Sequence, residues 1–131
     1  MHDYLIETTI LVDILRNHTQ AITWVNSLPP QRRWISVVTY FELLTGCRNR
    51  REQRIVTREM RNYYLLFLTE DISRAALFWY TRFHLRSGVS CHDTLLVATA
   101  FHHDFKLATL NTKHFFPLWH AGRVPILKAL S

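Results

Sequence analysis

Glycine is scarce in this sequence: Gly46, Gly88 and Gly122 are its only three. A phosphate-binding loop of the GxGxxG or GxxxxGK kind needs closely spaced glycines, so a nucleotide-binding domain built on such a loop is excluded. Cysteine is scarcer still. Cys47 and Cys91 stand far apart with no CxxC pair. That spacing gives neither a zinc ribbon nor a disulfide framework, and both read as reduced thiols. No apolar run approaches the roughly 20 residues that span a bilayer. The opening apolar stretch carries Glu7 and Asp13 and has no basic segment before it. A secretory signal is therefore not expected, and the cytoplasm is the expected location. Histidine is plentiful, with eight residues, but no HxxxH or HxxxE pair occurs. His102 and His103 are adjacent, so on a helix they point about 100° apart and do not readily share a metal.

What is present is a folding composition. Hydrophobic residues make up 48% of the 131 residues and charged residues 20%. That length suits one domain, expected over residues 1–131, with a core of its own. Acids are few: ten Asp and Glu face sixteen Lys and Arg, for a net charge of +6. A basic balance favours polyanionic partners, nucleic acid above all, although an acidic protein partner accounts for it as well.

Hydrophobic periodicity predicts alternating short strands and helices. Strands are expected at Tyr4 to Ile6, Trp34 to Val38, Tyr64 to Leu68, Lys106 to Thr109 and Val124 to Leu127. A helix carrying Ile10, Leu11, Ile14 and Leu15 runs to about Arg16, and another covers Gln20 to Leu28, ahead of Pro29 and Pro30. Thr39 to Thr45 reads as a helix ending near Gly46, and Arg48 to Asn62 as a polar one. Asp71 is expected to cap a helix to about Arg86, broken by Gly88. Asp93 to His103 forms the last. The alternation implies a three-layer α/β/α sandwich around a mostly parallel sheet. Ligands of such sheets bind beyond the carboxyl ends of the strands.

Those ends carry the chemistry. Glu7 follows the first strand, with Asp13 further along the next helix. Glu42 lies near the start of the helix after the second strand. Asp93 heads the Ala-rich helix, and Asn111 follows the late strand. Carboxylates seldom occupy apolar surroundings unless paired or metal-bound. Acids gathered at one point repel each other, and a hard cation relieves this. Mg²⁺ takes oxygen ligands, keeps several waters, and can activate a water against a phosphodiester. By spacing alone the same acids also read as caps and surface charges.

Four segments bear a family likeness. Tyr4-Leu-Ile-Glu-Thr-Thr-Ile-Leu-Val-Asp-Ile-Leu-Arg16 resembles the opening of PIN-domain toxins of the VapC type. Ile35-Ser-Val-Val-Thr-Tyr-Phe-Glu-Leu-Leu-Thr-Gly46 is similar to the second motif of that family, with Glu42 as its acid. Asp93-Thr-Leu-Leu-Val-Ala-Thr-Ala100 resembles the third, and Leu107-Ala-Thr-Leu-Asn-Thr-Lys-His-Phe115 the closing one. All four occur in the family's order. The resemblance implies a PIN fold and a Mg²⁺- or Mn²⁺-dependent endoribonuclease acting on cellular RNA, tRNA being one such target. It also implies a type II toxin–antitoxin pair, in which a VapB-like antitoxin blocks the site, and a toxin homodimer. Glu7, Glu42, Asp93 and Asn111 are the implied catalytic set, with the metal on Glu7, Glu42 and Asp93.

Two departures bear on activity. The family's first acid is usually Asp, whereas this chain has Glu7. One extra methylene moves the carboxylate by about 1.5 Å. Mg²⁺ tolerates distorted geometry poorly, and a shift of about 1 Å can cost on the order of 10²-fold in rate. Attenuation is therefore expected, and the alternative is an inactive PIN domain that only binds RNA or a protein. Asn111 stands where many members carry Asp, and reads either as a weak ligand or as a helix cap.

Supporting roles are open in the same way. Thr8 and Thr9 offer hydroxyls to Glu42 or to a metal-bound water, or simply cap the helix. Asp13 orients a ligand or is a solvated charge. Arg48, Arg50, Arg51, Arg54 and Arg58, with Lys113, read as an RNA-contacting ridge, or in the helical part as a solvated face. His114 contacts phosphate or packs. Of the many aromatic residues, most belong to the core, and an exposed subset suits an interface.

Overall fold

The computed structural model describes residues 2–118 and 126–128. Five strands form one sheet: β1 (Tyr4–Ile6), β2 (Arg33–Ser36), β3 (Tyr64–Leu66), β4 (Lys106–Thr109) and β5 (Ile126–Lys128). Their order is β3-β2-β1-β4-β5, and every neighbouring pair is parallel. Parallel pairing demands a crossover between consecutive strands, and helices supply it. They are α1 (Thr8–Leu15), α2 (Thr19–Asn26), α3 (Val37–Thr45), α4 (Arg50–Met60), α5 (Glu70–Ser87) and α6 (Cys91–His103). A sheet of this kind is covered on both faces.

Strand alternation builds both covers at once. Leu5 and Leu107 turn to the face packed by Ile72, Ala76 and Trp79 of α5 and by Leu96, Val97 and Ala100 of α6. Ile6, Ile35 and Ala108 turn to the opposite face, against Ile10, Leu11 and Ile14 of α1 and Val56 and Met60 of α4. Leu5, Ile6, Leu107 and Ala108 are fully buried. The expected three-layer sandwich is therefore present, and its sheet is parallel throughout the described pairings.

Several boundaries differ from the sequence reading, each for a local reason. Val37 and Val38 extend α3 rather than β2, because the Ser36 hydroxyl accepts the Val38 N–H and opens the helix there. Glu42 consequently lies on the second turn of α3 rather than near its start. Asp71 does not cap α5. Thr69 does, its hydroxyl accepting the Ile72 N–H, and Asp71 sits in the first turn, where its charge still suits the helix dipole. Asp93 does not head α6 either: Ser90 caps that helix and accepts the Asp93 N–H. Gly88 ends α5 with φ of 70°, a left-handed conformation that glycine adopts without steric cost. Of the strand expected at Val124 to Leu127, residues 124 and 125 lie outside the described residues.

Some large apolar side chains remain outside, among them Phe41, Phe67, Leu77, Phe78 and Leu85. Among the described residues, no helix is long and apolar enough to cross a membrane. Core and surface make unequal demands on substitution. Leu107→Ala, in the middle of the sheet, is expected to destabilise the chain by about 3 kcal/mol through lost transfer energy and the cavity left behind. Leu85→Ala, at a side chain that is 89% exposed, is expected to stay within about 0.5 kcal/mol. Urea denaturation of both variants checks this; similar midpoints would contradict the assignment of the core.

Candidate active site

The central strand β1 has β2 on one side and β4 on the other. The chain leaves β1 through α1 towards β2 and returns much later to β4, so the sheet's switch point lies between β1 and β4. A crevice opens at the carboxyl ends of strands at such a point. A cleft of about 880 Å³ lies there, lined by Glu7, Thr8, Thr9, Asp13, Glu42, Asp93, Asn111 and Lys113, among others. The sequence-predicted acids, which span 86 positions from residue 7 to residue 93, meet in one place.

Glu7 is the first residue beyond β1. Its backbone N–H donates to Ala108 O at 2.9 Å, which ties the end of β1 to β4. Its side chain is buried, at 7% exposure. Oε1 accepts from the Thr9 hydroxyl at 2.5 Å and from the Thr109 hydroxyl at 2.6 Å. The Thr8 hydroxyl donates to Glu42 Oε1 at 2.9 Å, so one turn of α1 orients two acids that belong to different elements. Asp93 stands in the first turn of α6 and is half-buried. The imidazole Nδ1 of His114 lies 3.9 Å from Asp93 Oδ2, and that of His92 lies 3.8 Å from Glu42 Oε2. These distances allow electrostatic contact but not hydrogen bonding.

The electrostatics show the crowding. Burial raises the Glu7 pKa above the usual carboxylate range; the Thr109 and Thr9 hydroxyls and the Thr9 backbone N–H oppose this, and the charge on Asp93 adds to it. Burial likewise raises Asp93, against the Ser90 hydroxyl and His114, and the charge on Glu42 raises it further. Asp93 thus feels both other acids. A site of oxygen donors whose charges disfavour one another suits a hard divalent cation. Among the described residues, no group of three or more His, Cys, Asp and Glu side chains forms a ready-made metal cage. The fit is therefore to a divalent cation that keeps much of its water rather than one enclosed by protein ligands.

The remaining expected residues divide. Asn111 lines the cleft and sits at the start of a 3₁₀ turn, Thr112–Phe115, but its side chain makes no capping hydrogen bond, so the cap reading is not what is seen. Asp13 lines the cleft and faces His18 at 3.4 Å. Lys113 and His114 form part of the rim. Arg48 pairs with Glu52 at 2.8 Å and lines a second groove, of about 530 Å³, that shares Thr8, Val12, Arg16 and Glu42 with the first. Arg50, Arg51, Arg54 and Arg58 are exposed on α4 and are not among the residues that line either groove. Sequence reasoning missed three contributors. Thr109 is the last residue of β4, and its position at a strand end was the available signal. Ser90 is hidden because Asp93, three residues on, is itself a favoured helix-start residue. Arg16 closes α1 and borders both grooves.

The PIN domain pattern matches residues 4–116. This chain belongs to the PIN-domain family. It is 36% identical over 125 residues to Ribonuclease VapC10 of Mycobacterium tuberculosis, covering 92% of this chain and 91% of that protein. Its fold is similar to that of DNA-bound VapBC from Salmonella typhimurium, with a TM-score of 0.82 at 19% identity over 97% of this chain and 98% of the other. VapBC-1 from nontypeable Haemophilus influenzae gives 0.80 at 21% identity, over 98% of each chain. At those identities the solved structures establish the fold. Members of the PIN nuclease family generally use a divalent metal, in keeping with the acidic cleft.

The raised Glu7 pKa has a consequence for stability without metal. The folded state holds the Glu7 proton to higher pH than the unfolded chain does. Stability is therefore lost as pH rises from the ordinary carboxylate value of 4.5 through the folded value. In EDTA, Glu7→Gln is expected to melt higher than the unchanged chain at pH 7, with the gap closing below pH ~4, the range in which both states protonate. Adding a divalent cation is expected to stabilise the unchanged chain by about 2.7 kcal/mol at a hundredfold excess over its Kd. Thermal melts across pH check both; a Glu7→Gln variant less stable at pH 7 would refute the electrostatic reading.

Proposed function

We propose that this chain is a metal-dependent endoribonuclease and the toxin of a type II toxin–antitoxin pair, acting on cytoplasmic RNA. The observation that carries the reading is the meeting of Glu7, Glu42 and Asp93 in one cleft, in a chain 36% identical over 92% of its length to a protein named as a ribonuclease. Glu7, Glu42 and Asp93 are the residues that would hold Mg²⁺ or Mn²⁺, with Asn111 offering a neutral carbonyl oxygen beside them. Bound there, such an ion supplies Lewis acidity and lowers the pKa of a coordinated water.

The chain's own groups do the rest. Lys113 and His114 at the rim receive the phosphodiester and orient it over the acids. The Thr8 hydroxyl orients Glu42 through its hydrogen bond to Oε1. Arg16 and Arg48 continue the basic path along the second groove, and the exposed arginines of α4 add long-range attraction for a polyanion. A VapB-like antitoxin as partner is supported by the solved VapBC relatives and by the basic surface. A homodimer is the expected assembly of the toxin.

Cleavage of total RNA with and without EDTA tests the activity. Asp93→Asn is expected to lower the rate by roughly 10²-fold, the scale on which removal of one preorganised charge-stabilising group acts. Glu7→Asp is expected to raise it, since the shorter acid matches the family's usual spacing. RNA cleavage that persists in EDTA and in Asp93→Asn would sink the metal-dependent reading. Equal rates for Glu7 and Asp would sink attenuation. RNA bound but uncut by every form would instead mark a binding module.

A further inference from the structure

Glu7 is held by more than its own element. The Thr109 hydroxyl donates to Oε1 at 2.6 Å, and the same oxygen atom of Thr109 accepts the Asn111 N–H at 3.0 Å. The Thr9 hydroxyl donates to Oε1 at 2.5 Å, and its oxygen accepts the Leu110 N–H at 3.1 Å. A hydroxyl has a single proton, and a backbone N–H can only donate. Each amide therefore fixes the sense of its hydroxyl, whose proton has nowhere to go but Oε1. Two donors on one carboxylate oxygen occupy both of its lone pairs. Among the described residues, no side chain donates to Oε2, and the carboxylate's other partner is the Thr9 backbone N–H.

We propose that Thr9 and Thr109 act as a clamp that commits Glu7 Oε1 to the protein and leaves Oε2 as the oxygen offered to a divalent cation. This rests on the metal-dependent reading above. The clamp makes Glu7 a one-oxygen ligand and sets where the longer glutamate chain ends, so Thr9 and Thr109 are positioning residues. They join the first turn of α1, which follows β1, to the end of β4, across the switch point between those two strands. Thr109 is fully buried and touches no solvent, so its hydroxyl serves the carboxylate rather than water.

Calorimetric titration with Mn²⁺ tests the clamp without depending on turnover. Removing a group that orients a metal ligand typically costs 10–100-fold in affinity. Thr109→Val keeps the shape and removes the hydroxyl, and is expected to weaken Mn²⁺ binding by about 10-fold or more. Thr109→Ser restores the hydroxyl and is expected to recover most of the loss. In a Glu7→Gln background, Thr109→Val is expected to change Mn²⁺ affinity little, because the ligand it positions is already gone. Unchanged affinity in Thr109→Val would overturn the clamp, and so would an equal loss with and without Glu7. The expected affinity pattern with RNA left uncut by every form would uphold the clamp and sink the ribonuclease reading.

Discussion

A carboxylate buried at the centre of a parallel sheet is the constraint around which this molecule is arranged. Glu7 sits at the end of the middle strand, where bulk water no longer stabilises its charge. Burying an unpaired carboxylate is costly, and the fold meets that cost with directed hydroxyls rather than with a basic partner. No lysine or arginine pairs with Glu7 among the ion pairs of the described residues. A lysine there would cancel the charge. Two threonines orient the carboxylate and leave its charge available, which is what a cation site requires.

The remaining acids depend on the same arrangement. Parallel strands bring all their carboxyl ends to one edge of the sheet, so whatever follows each strand is delivered to a shared crevice. Helix starts then place the side chains. Ser36 opens α3 and Ser90 opens α6, which puts Glu42 and Asp93 within electrostatic reach of each other. Two separate cores, one on each face, keep the sheet rigid beneath them. A shift of either helix start by one residue would rotate its acid by about 100° away from the cleft. The two small serines thus have as much influence on the site as the acids do.

Much of this was legible in the sequence because periodicity is a local signal. Leu5, Ile35 and Leu107 mark buried strands by their neighbours alone, and the acids after them follow from the rule for open sheets. Capping was less legible. Ser36, Thr69 and Ser90 each compete with a nearby residue for the cap, and side-chain geometry decides the winner. Val37 and Val38 favour strands by propensity, yet the Ser36 cap and burial against the core draw them into α3. Thr109 was not legible at all as a partner of Glu7. The two are 102 residues apart, and their contact exists only because β1 and β4 are neighbours. Contacts of that kind come from topology, which no local pattern encodes.

Charge on the surface is also less uniform than composition suggests. Arg48 is held by Glu52, while the α4 arginines beyond it are exposed away from both grooves. The cations that line the acidic cleft are Lys113 at one rim and Arg16 at the junction of the grooves. Attraction and placement are therefore separate tasks. Exposed arginines more than about 10 Å from a phosphate raise the encounter rate but are screened by salt. Short-range contacts in the cleft set the register of the backbone over the carboxylates. A polyanion drawn in by the first group would meet an acidic floor that repels it, and a divalent cation held by Glu7, Glu42 and Asp93 would offset that repulsion. The same clustering of acids that disfavours a bare polyanion in the cleft is what suits it to a divalent cation.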